Sequence, residues 1–228
     1  MDNQFDNLMK SICRVYPENI FLKNLSRAIQ EYPSIAGEDF LSGGQVLSKR
    51  WLTAELKNLS LELGLIYLTP GWYGVLAQFL SEENLNFSSI RSFDRDLKSV
   101  EVSEWLNRNL FVNGWKFKAT CLDILDINYE RHDYVTIKDG LKNSRQNECP
   151  DTIINTACEH LDYQKWLELI PAGKLVVLQN NNYIDGKEHT HCVSSLEEFK
   201  EKCGLSEIYY SGVLNLKIYN RYMLIGRK

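Results

Sequence analysis

A glycine-containing turn and a later acidic residue have the spacing of a nucleotide-binding site. The turn, Thr69-Pro70-Gly71-Trp72-Tyr73-Gly74, follows a short apolar run. Glycine allows a backbone to turn sharply and approach a ligand, although tight strand-to-helix turns use glycine in many unrelated folds. Asp94 follows Gly71 at about the 20-residue spacing at which an acidic side chain accepts hydrogen bonds from ribose hydroxyls. Alternatively, Asp94 is the N-cap of the helix that follows it.

Two further acidic positions stand where later apolar runs end. Asp123 can accept a hydrogen bond from the exocyclic amine of adenine while the adjacent Ile124 covers the ring, or it is a cap or loop acid. Glu159 and His160 follow the apolar segment around Ile154. His160 is the best candidate for a general base, because the pKa of an imidazole lies near neutrality. The alternative is a structural histidine at a strand end.

Amide and histidine side chains after the next apolar run are candidates for substrate contacts. Asn181 lies in the run Gln179-Asn180-Asn181-Asn182, which is either a polar turn or an array of hydrogen-bond donors and acceptors. His191 is a weaker candidate in the segment His189-Thr190-His191-Cys192. That segment collects metal-ligand residue types, but adjacent residues rarely converge on one ion. We therefore predict a polar loop and no metal site there.

Short apolar runs that alternate with helical periodicity would place these residues at one edge of a sheet. Strands are predicted over 63–68, 88–93, 115–121, 151–156 and 174–178, with helices between them. Two further β-rich segments, 206–218 and 221–226, have no room for a crossover and must be antiparallel. We therefore predict an α/β fold, a three-layer sandwich whose seven-stranded, mostly parallel sheet has one antiparallel strand in a C-terminal hairpin.

Two parts of the chain fall outside this alternation. Residues 1–44 are predicted to form an N-terminal helical extension, because Pro17 separates two amphipathic segments and Gly43-Gly44 then breaks the chain. Residues 45–228 are predicted to form the main domain. The segment 128–150 is rich in charge and asparagine and is predicted to be a long loop, either without regular structure or with one short element.

The overall composition narrows the class of protein. The chain has 228 residues, of which 44% are hydrophobic and 25% charged, as is ordinary for a globular protein. Its net charge of -4 disfavours nucleic acid as a partner, since nucleic-acid binding usually requires a basic excess. No apolar run approaches the roughly 20 residues of a membrane helix, and the first residues do not resemble a signal peptide. These features predict a cytoplasmic protein without a membrane partner.

The order of strands, turn and acidic residues resembles the class I S-adenosylmethionine-dependent methyltransferases over about residues 45–228. In that family the last hairpin inserts one antiparallel strand into a seven-stranded sheet, a feature that dinucleotide dehydrogenases lack. The resemblance implies a Rossmann-like domain with S-adenosylmethionine as cofactor. It also implies that the segment from Asn155 to His160 is the fourth-strand exit, which faces the methyl group and the substrate.

The resemblance assigns a role to each candidate residue. The glycine turn would lie beside the methionyl part of the cofactor, Asp94 would bind its ribose, and Asp123 its adenine. The predicted cofactor-binding residues are Gly71, Tyr73, Gly74, Asp94, Asp123, Ile124 and Asn155. The predicted catalytic residues are Glu159 and His160, and the predicted substrate-binding residues are Asn181 and His191.

The turn departs from the family pattern, which usually carries an acid followed by three alternating glycines. Here Tyr67 and Thr69 precede the turn and no acid is present, so the motif is degenerate. We expect methyl transfer to a small molecule or a protein side chain. One alternative is a non-catalytic binding module with this fold, which the missing acid motivates. Another is a nicotinamide-dependent oxidoreductase, against which the C-terminal hairpin argues.

Overall fold

The fold is built around one seven-stranded sheet. A computed structural model describes residues 3–138, 141–186 and 188–228. The strands are β1 Gly64–Leu68, β2 Phe87–Asp94, β3 Phe117–Cys121, β4 His132–Lys138, β5 Leu141–Glu148, β6 Thr152–Asn155, β7 Leu175–Asn181, β8 Glu207–Asn215 and β9 Asn220–Arg227. The helices are α1 Asn3–Val15, α2 Ile20–Glu31, α3 Gly43–Leu59, α4 Val75–Glu82, α5 Leu97–Leu106, α6 Arg108–Val112, α7 Tyr163–Glu168 and α8 Leu196–Cys203.

The strand order in the main sheet is β3-β2-β1-β6-β7-β9-β8. Strands β3, β2, β1, β6 and β7 pair in parallel, whereas β9 is antiparallel to both β7 and β8. The sheet therefore has six strands in one direction and one in the other, which confirms the predicted fold class. The order reverses between β1 and β6, so the ends of these strands form the crevice in which such sheets bind ligands.

Two apolar cores cover the two faces of the sheet. On one face, α3, α4 and α5 pack on side chains that include Ile66 and Leu68 of β1. On the other face, α7 and α8 pack on the neighbouring Tyr67 and on Leu224 of β9. Successive residues of a strand point to opposite faces, so apolar runs without alternation are what a sheet covered on both sides requires.

The polar segment after β3 forms strands, and the prediction of a long loop over 128–150 was wrong. Strands β4 and β5 pair antiparallel with each other as a separate two-stranded sheet. Because this hairpin adds no strand to the main sheet, its strands do not need the apolar runs by which the other strands were predicted. A bidentate ion pair joins Glu148 at its end to the buried Arg91 of β2, with nitrogen–oxygen distances of 2.8 and 3.0 Å.

The N-terminal helices pack on the outer side of α4 and α5. Their buried side chains, among them Leu25 and Ala28 of α2, contact Phe79 and Leu106. The Asn24 amide of α2 also donates a hydrogen bond of 3.0 Å to the Leu106 carbonyl. These contacts place the segment 33–42 beside the turn that follows β1. The division into an extension and a main domain stays a prediction.

No helix in the described ranges is long and apolar enough to cross a bilayer.

Strand pairing in the C-terminal hairpin can be tested at Gly226. A Cβ at this position would lie 2.1 Å from the carbonyl oxygen of Glu207, so we expect Gly226→Ala to lower the free energy of unfolding by about 1–3 kcal/mol. Gly43→Ala is the control, because a Cβ there meets no described atom within 4 Å. Urea unfolding compares the two variants, and equal stabilities would contradict the packing of β9 against β8.

Candidate functional site

A cavity of about 930 Å³ lies at the carboxyl ends of the central strands. The turn after β1, the end of β2, the residues after β3 and the exit of β6 form one side of it. Helix α3, the segment before it and the start of β9 form the other. Of the predicted site residues, those that line the cavity are Gly71, Tyr73, Gly74, Asp94, Asp123, Ile124, Glu159 and His160.

The turn after β1 is fixed by its contacts with β2. The Gly71 amide donates to the Phe93 carbonyl at 2.7 Å, and a Cβ on Gly71 would lie 1.8 Å from the Ser92 hydroxyl. Trp72 has a φ of +47°, in the left-handed region that costs a non-glycine residue roughly 1–2 kcal/mol. Close packing against β2 is therefore the direct reason for glycine at position 71.

Gly74 is required by the helix that packs against the turn. Its φ is +67°, and a Cβ there would lie 2.2 Å from the hydroxyl of Ser103 in α5. This glycine closes the turn and begins α4. The backbone conformation and the packing of α5 are each sufficient to require glycine at this position.

Asp94 joins the cavity to the turn. One of its carboxylate oxygens accepts from the Trp72 amide at 2.9 Å, and the other accepts from the Asp96 amide at 3.0 Å. Burial raises the pKa of Asp94, and these two backbone hydrogen bonds oppose that rise. Each oxygen keeps a further lone pair, so Asp94 can hold the turn and still accept a hydrogen bond from the cavity. The cap of α5 is the neighbouring Asp96, so the alternative role for Asp94 was wrong.

Asp123 and Ile124 line the cavity after β3. Asp123 caps the single helical turn Ile124–Asp126 by accepting from the Leu125 amide at 2.9 Å. The side chain of Ile124 is buried, and that of Asp123 is half-buried. Asp123 therefore caps a local turn and also lies in the cavity, and its hydrogen bond to adenine stays a prediction.

The segment before α3 closes the cavity over the turn. The Tyr73 hydroxyl donates to Glu38 at 2.7 Å, and the Lys98 ammonium donates to the other oxygen of Glu38 at 2.8 Å. Partial burial raises the pKa of Glu38. The hydrogen bonds from Lys98 and Tyr73 have the opposite effect, and the net pKa of Glu38 is lowered. Tyr73 is stacked on Trp72 with ring centroids 5.2 Å apart. Its ring lines the cavity, while its hydroxyl is used by Glu38.

Glu159 is the centre of a buried polar network at the exit of β6. Its Oε1 accepts from the Asn181 amide at 2.6 Å and from the Arg221 guanidinium at 3.1 Å. Arg221 also donates to the Thr156 carbonyl at 3.0 Å. Burial alone would lower the pKa of Arg221, but Glu159 and Tyr219 together outweigh this effect, and the pKa is raised. The pair thus ties the ends of β6 and β7 to the start of β9.

Three predicted site residues do not line the cavity. Asn155 is fully buried and accepts from the Ala157 amide at 2.9 Å, so it shapes the exit of β6. Asn181 is also buried, and its amide holds Glu159. His191 is exposed, while His189, two positions earlier, faces the cavity.

Lys49 of α3 is a cavity residue that the sequence analysis missed. It is 7% exposed and donates a hydrogen bond to Gln45. Burial first, and then the nearby charge of Arg221, lower the pKa of Lys49 to about 7, although Glu159 and Asp39 oppose the shift. No carboxylate in the described ranges forms an ion pair with it. Helical periodicity does not separate Lys49 from the exposed lysines, so no sequence signal could have found it.

Removing one member of the buried Glu159–Arg221 ion pair should destabilise the fold. We expect Arg221→Met to lower the free energy of unfolding by roughly 3–5 kcal/mol, because Glu159 would remain buried without a counter-charge. Lys202→Met is the matched control, since Lys202 pairs with Glu198 on the surface at 2.8 Å and such pairs contribute about 1 kcal/mol or less. Urea unfolding gives both values, and similar losses would contradict the burial of the Glu159–Arg221 pair.

Removing the buried amine of Lys49 should stabilise the fold. We expect Lys49→Met to raise the free energy of unfolding at pH 7 by at least about 1 kcal/mol, because burial of an unpaired ammonium is unfavourable. Lys57→Met should not stabilise the fold, since Lys57 is exposed and pairs with Glu83 at 2.9 Å. Thermal unfolding of the two variants is the comparison. Destabilisation by Lys49→Met would contradict the environment described for this lysine.

Comparison with solved structures shows several methyltransferases with the same fold. No protein-family model and no curated protein matches the sequence. An S-adenosylmethionine-dependent methyltransferase from Clostridium acetobutylicum is 14% identical, with a TM-score of 0.58 over 87% of this chain and 98% of that one. Magnesium protoporphyrin IX methyltransferase from Synechocystis PCC 6803 with bound S-adenosylhomocysteine is also 14% identical, with a TM-score of 0.55 over 96% and 99%. An N-methyltransferase from Bradyrhizobium japonicum is 9% identical, with a TM-score of 0.53 over 79% and 96%. The chain thus has the fold of the class I S-adenosylmethionine-dependent methyltransferases.

Proposed function

We propose that this protein is an S-adenosylmethionine-dependent methyltransferase that acts on a small molecule or a protein side chain. The observation that carries the proposal is the single cavity in which the turn after β1, Asp94, Asp123 and Glu159 converge from four strand ends. The fold that the chain shares with solved methyltransferases supports the same reading. None of these observations favours a nicotinamide-dependent oxidoreductase.

The cofactor would extend across the ends of β3, β2, β1 and β6. Adenine would lie against Ile124 with Asp123 as its acceptor, and the ribose hydroxyls would donate to Asp94. The methionyl part would follow the turn around Gly71. Lys49 supplies a buried amine in the same cavity, and a carboxylate such as that of the methionyl group would favour the charged form of this amine.

The degenerate turn is compatible with this placement. The acid that the family usually carries before the turn is missing, but Asp94 holds the turn through the Trp72 amide. Contacts of Gly71 with β2 fix the backbone independently. The conformation of the turn therefore does not depend on the missing acid.

Methyl transfer depends mainly on the alignment of the acceptor atom with the methyl group of the donor. The acceptor atom attacks the methyl carbon in line with the sulfonium, and the electron pair of the broken carbon–sulfur bond stays on sulfur. Fixing two reactants in this geometry supplies much of the acceleration of such a reaction. A base is needed only when the acceptor must lose a proton, and His160 at the cavity is the candidate.

Glu159 and Asn181 would act through position rather than contact with the donor. Asn181 was predicted to bind substrate, but its amide is used by Glu159. We propose that Asn181 orients Glu159, and that Asn155 shapes the exit of β6 instead of touching the cofactor. His191 has no role in this proposal, because it is exposed and does not line the cavity.

The cofactor assignment is tested at Asp94. We expect Asp94→Ala to weaken S-adenosylhomocysteine binding about 10- to 100-fold, because hydrogen bonds to a charged group contribute roughly 1.5–3 kcal/mol. Asp94→Asn should lose less, since one oxygen remains. Asp126→Ala is the control, because Asp126 does not line the cavity. Calorimetry gives the affinities.

A folded Asp94→Ala protein that binds S-adenosylhomocysteine with the affinity of the wild type would contradict the assignment. A parallel titration of the wild type with nicotinamide dinucleotide should show no binding. Binding of the dinucleotide in place of S-adenosylhomocysteine would favour the oxidoreductase.

A further inference from the structure

Three side chains that commonly bind metals meet in the cavity. Glu159 and His160 come from the exit of β6, and His189 comes from the loop after β7. One ligand atom from each lies within 4.8 Å of the others. Glu159 and His160 are adjacent in the sequence, whereas His189 lies in a later loop, so the fold brings His189 to the other two.

Each of the two imidazoles has its Nδ1 atom beside a backbone carbonyl oxygen. The Nδ1 atom of His160 lies 3.2 Å from the Glu188 carbonyl, and the Nδ1 atom of His189 lies 2.6 Å from the Tyr183 carbonyl. A ring nitrogen beside a carbonyl oxygen must carry the hydrogen of a neutral imidazole. The Nε2 atom of each ring is then the one with a free lone pair, which is the arrangement that backbone carbonyls impose on metal ligands.

Glu159 offers an oxygen that the protein leaves unsatisfied. Its side chain is 2% exposed. Oε1 accepts from Asn181 and Arg221, but Oε2 has no hydrogen-bond partner among the residues that the structure describes. A buried carboxylate oxygen without a partner is unfavourable, and a cation beside it would remove that penalty.

We propose that Glu159, His160 and His189 bind a divalent transition-metal ion. Two imidazoles and one carboxylate suit zinc, manganese or ferrous iron better than calcium or magnesium, which prefer oxygen ligands. Three protein ligands leave at least one coordination position open to the cavity. Because Arg221 shares the carboxylate of Glu159, the affinity should be lower than that of a closed structural zinc site.

The role of the ion, unlike its binding, rests on the proposed function. A hydroxyl group of the acceptor could fill the open position, and coordination would lower the pKa of that hydroxyl. Its oxygen–hydrogen bond would break with transfer of the proton to water. The oxygen would then form a bond to the methyl carbon as the carbon–sulfur bond breaks, with the electron pair remaining on sulfur. His160 would then be a metal ligand and not the base, and the acceptor class would be a hydroxyl compound.

The site is tested by titrating the full-length, untagged and chelator-treated protein with Zn²⁺ in the absence of cofactor. Calorimetry should show one site in the wild type. We expect His160→Ala and His189→Ala each to weaken Zn²⁺ binding at least tenfold. His191→Ala is the matched control, because this histidine belongs to the same loop but is exposed outside the cavity, and it should bind Zn²⁺ as the wild type does.

Glu159→Gln should also weaken Zn²⁺ binding, but its effect on Arg221 can lower stability as well. The two histidine variants keep the test decisive if this variant fails to fold. Co²⁺ adds a spectroscopic readout, since visible absorption bands that change on mutation of His160 or His189 report direct coordination.

The inference is overturned if the wild type binds no Zn²⁺, or if the His160→Ala, His189→Ala double variant binds it as tightly as His191→Ala. Titration of the same chelator-treated protein with S-adenosylhomocysteine separates the two proposals. Cofactor binding without Zn²⁺ binding overturns the metal site and leaves the methyltransferase. Site-specific Zn²⁺ binding without cofactor binding supports the metal site and contradicts the methyltransferase.

Discussion

The buried ion pair between Glu159 and Arg221 joins the exit of β6 to the start of β9 at the edge of the sheet where the cavity lies. Their side chains are 2% and 4% exposed, and their charged atoms are 3.1 Å apart. Arg221 stands near the start of β9, and it reaches this edge only because β9 is antiparallel to its neighbours. The reversed strand therefore has a consequence for the site: it brings a guanidinium beside the exit of β6, and Asn181 of β7 completes the network.

The cavity has two ends of different construction. At one end, main-chain contacts and acids that also hold backbone amides fix the turn after β1 and the ends of β2 and β3. Backbone hydrogen bonds hold this end, where the adenosyl group of the proposed cofactor would lie. At the other end lie Lys49, the Glu159–Arg221 pair and two histidines, which are charged or titratable groups on separate elements. Proteins that share a fold can catalyse different reactions, and we expect the differences at positions where side chains, and not the backbone, form the site.

The sequence predicted the sheet well because its central strands, such as β6 and β7, are buried on both faces. Five apolar runs and the closing hairpin correspond to β1, β2, β3, β6, β7, β8 and β9. The hairpin of β4 and β5 was missed because it forms a separate sheet, and its polar segment has no apolar run to mark it. At the site, Asp94 and Asp123 line the cavity because both stand where strands end, and their contacts with the cofactor stay predictions. Lys49, His189 and Arg221 were not found, because only tertiary contacts bring them together.

The central claim is that S-adenosylmethionine binds across the ends of β3, β2, β1 and β6. A crystal structure of the protein with S-adenosylhomocysteine tests it most directly. We expect adenine against Ile124, the ribose hydroxyls within hydrogen-bond distance of Asp94, and the sulfur directed towards Glu159 and His160. A complex in which the ligand lies outside this cavity, or in which Asp94 makes no contact with the ribose, would contradict the account.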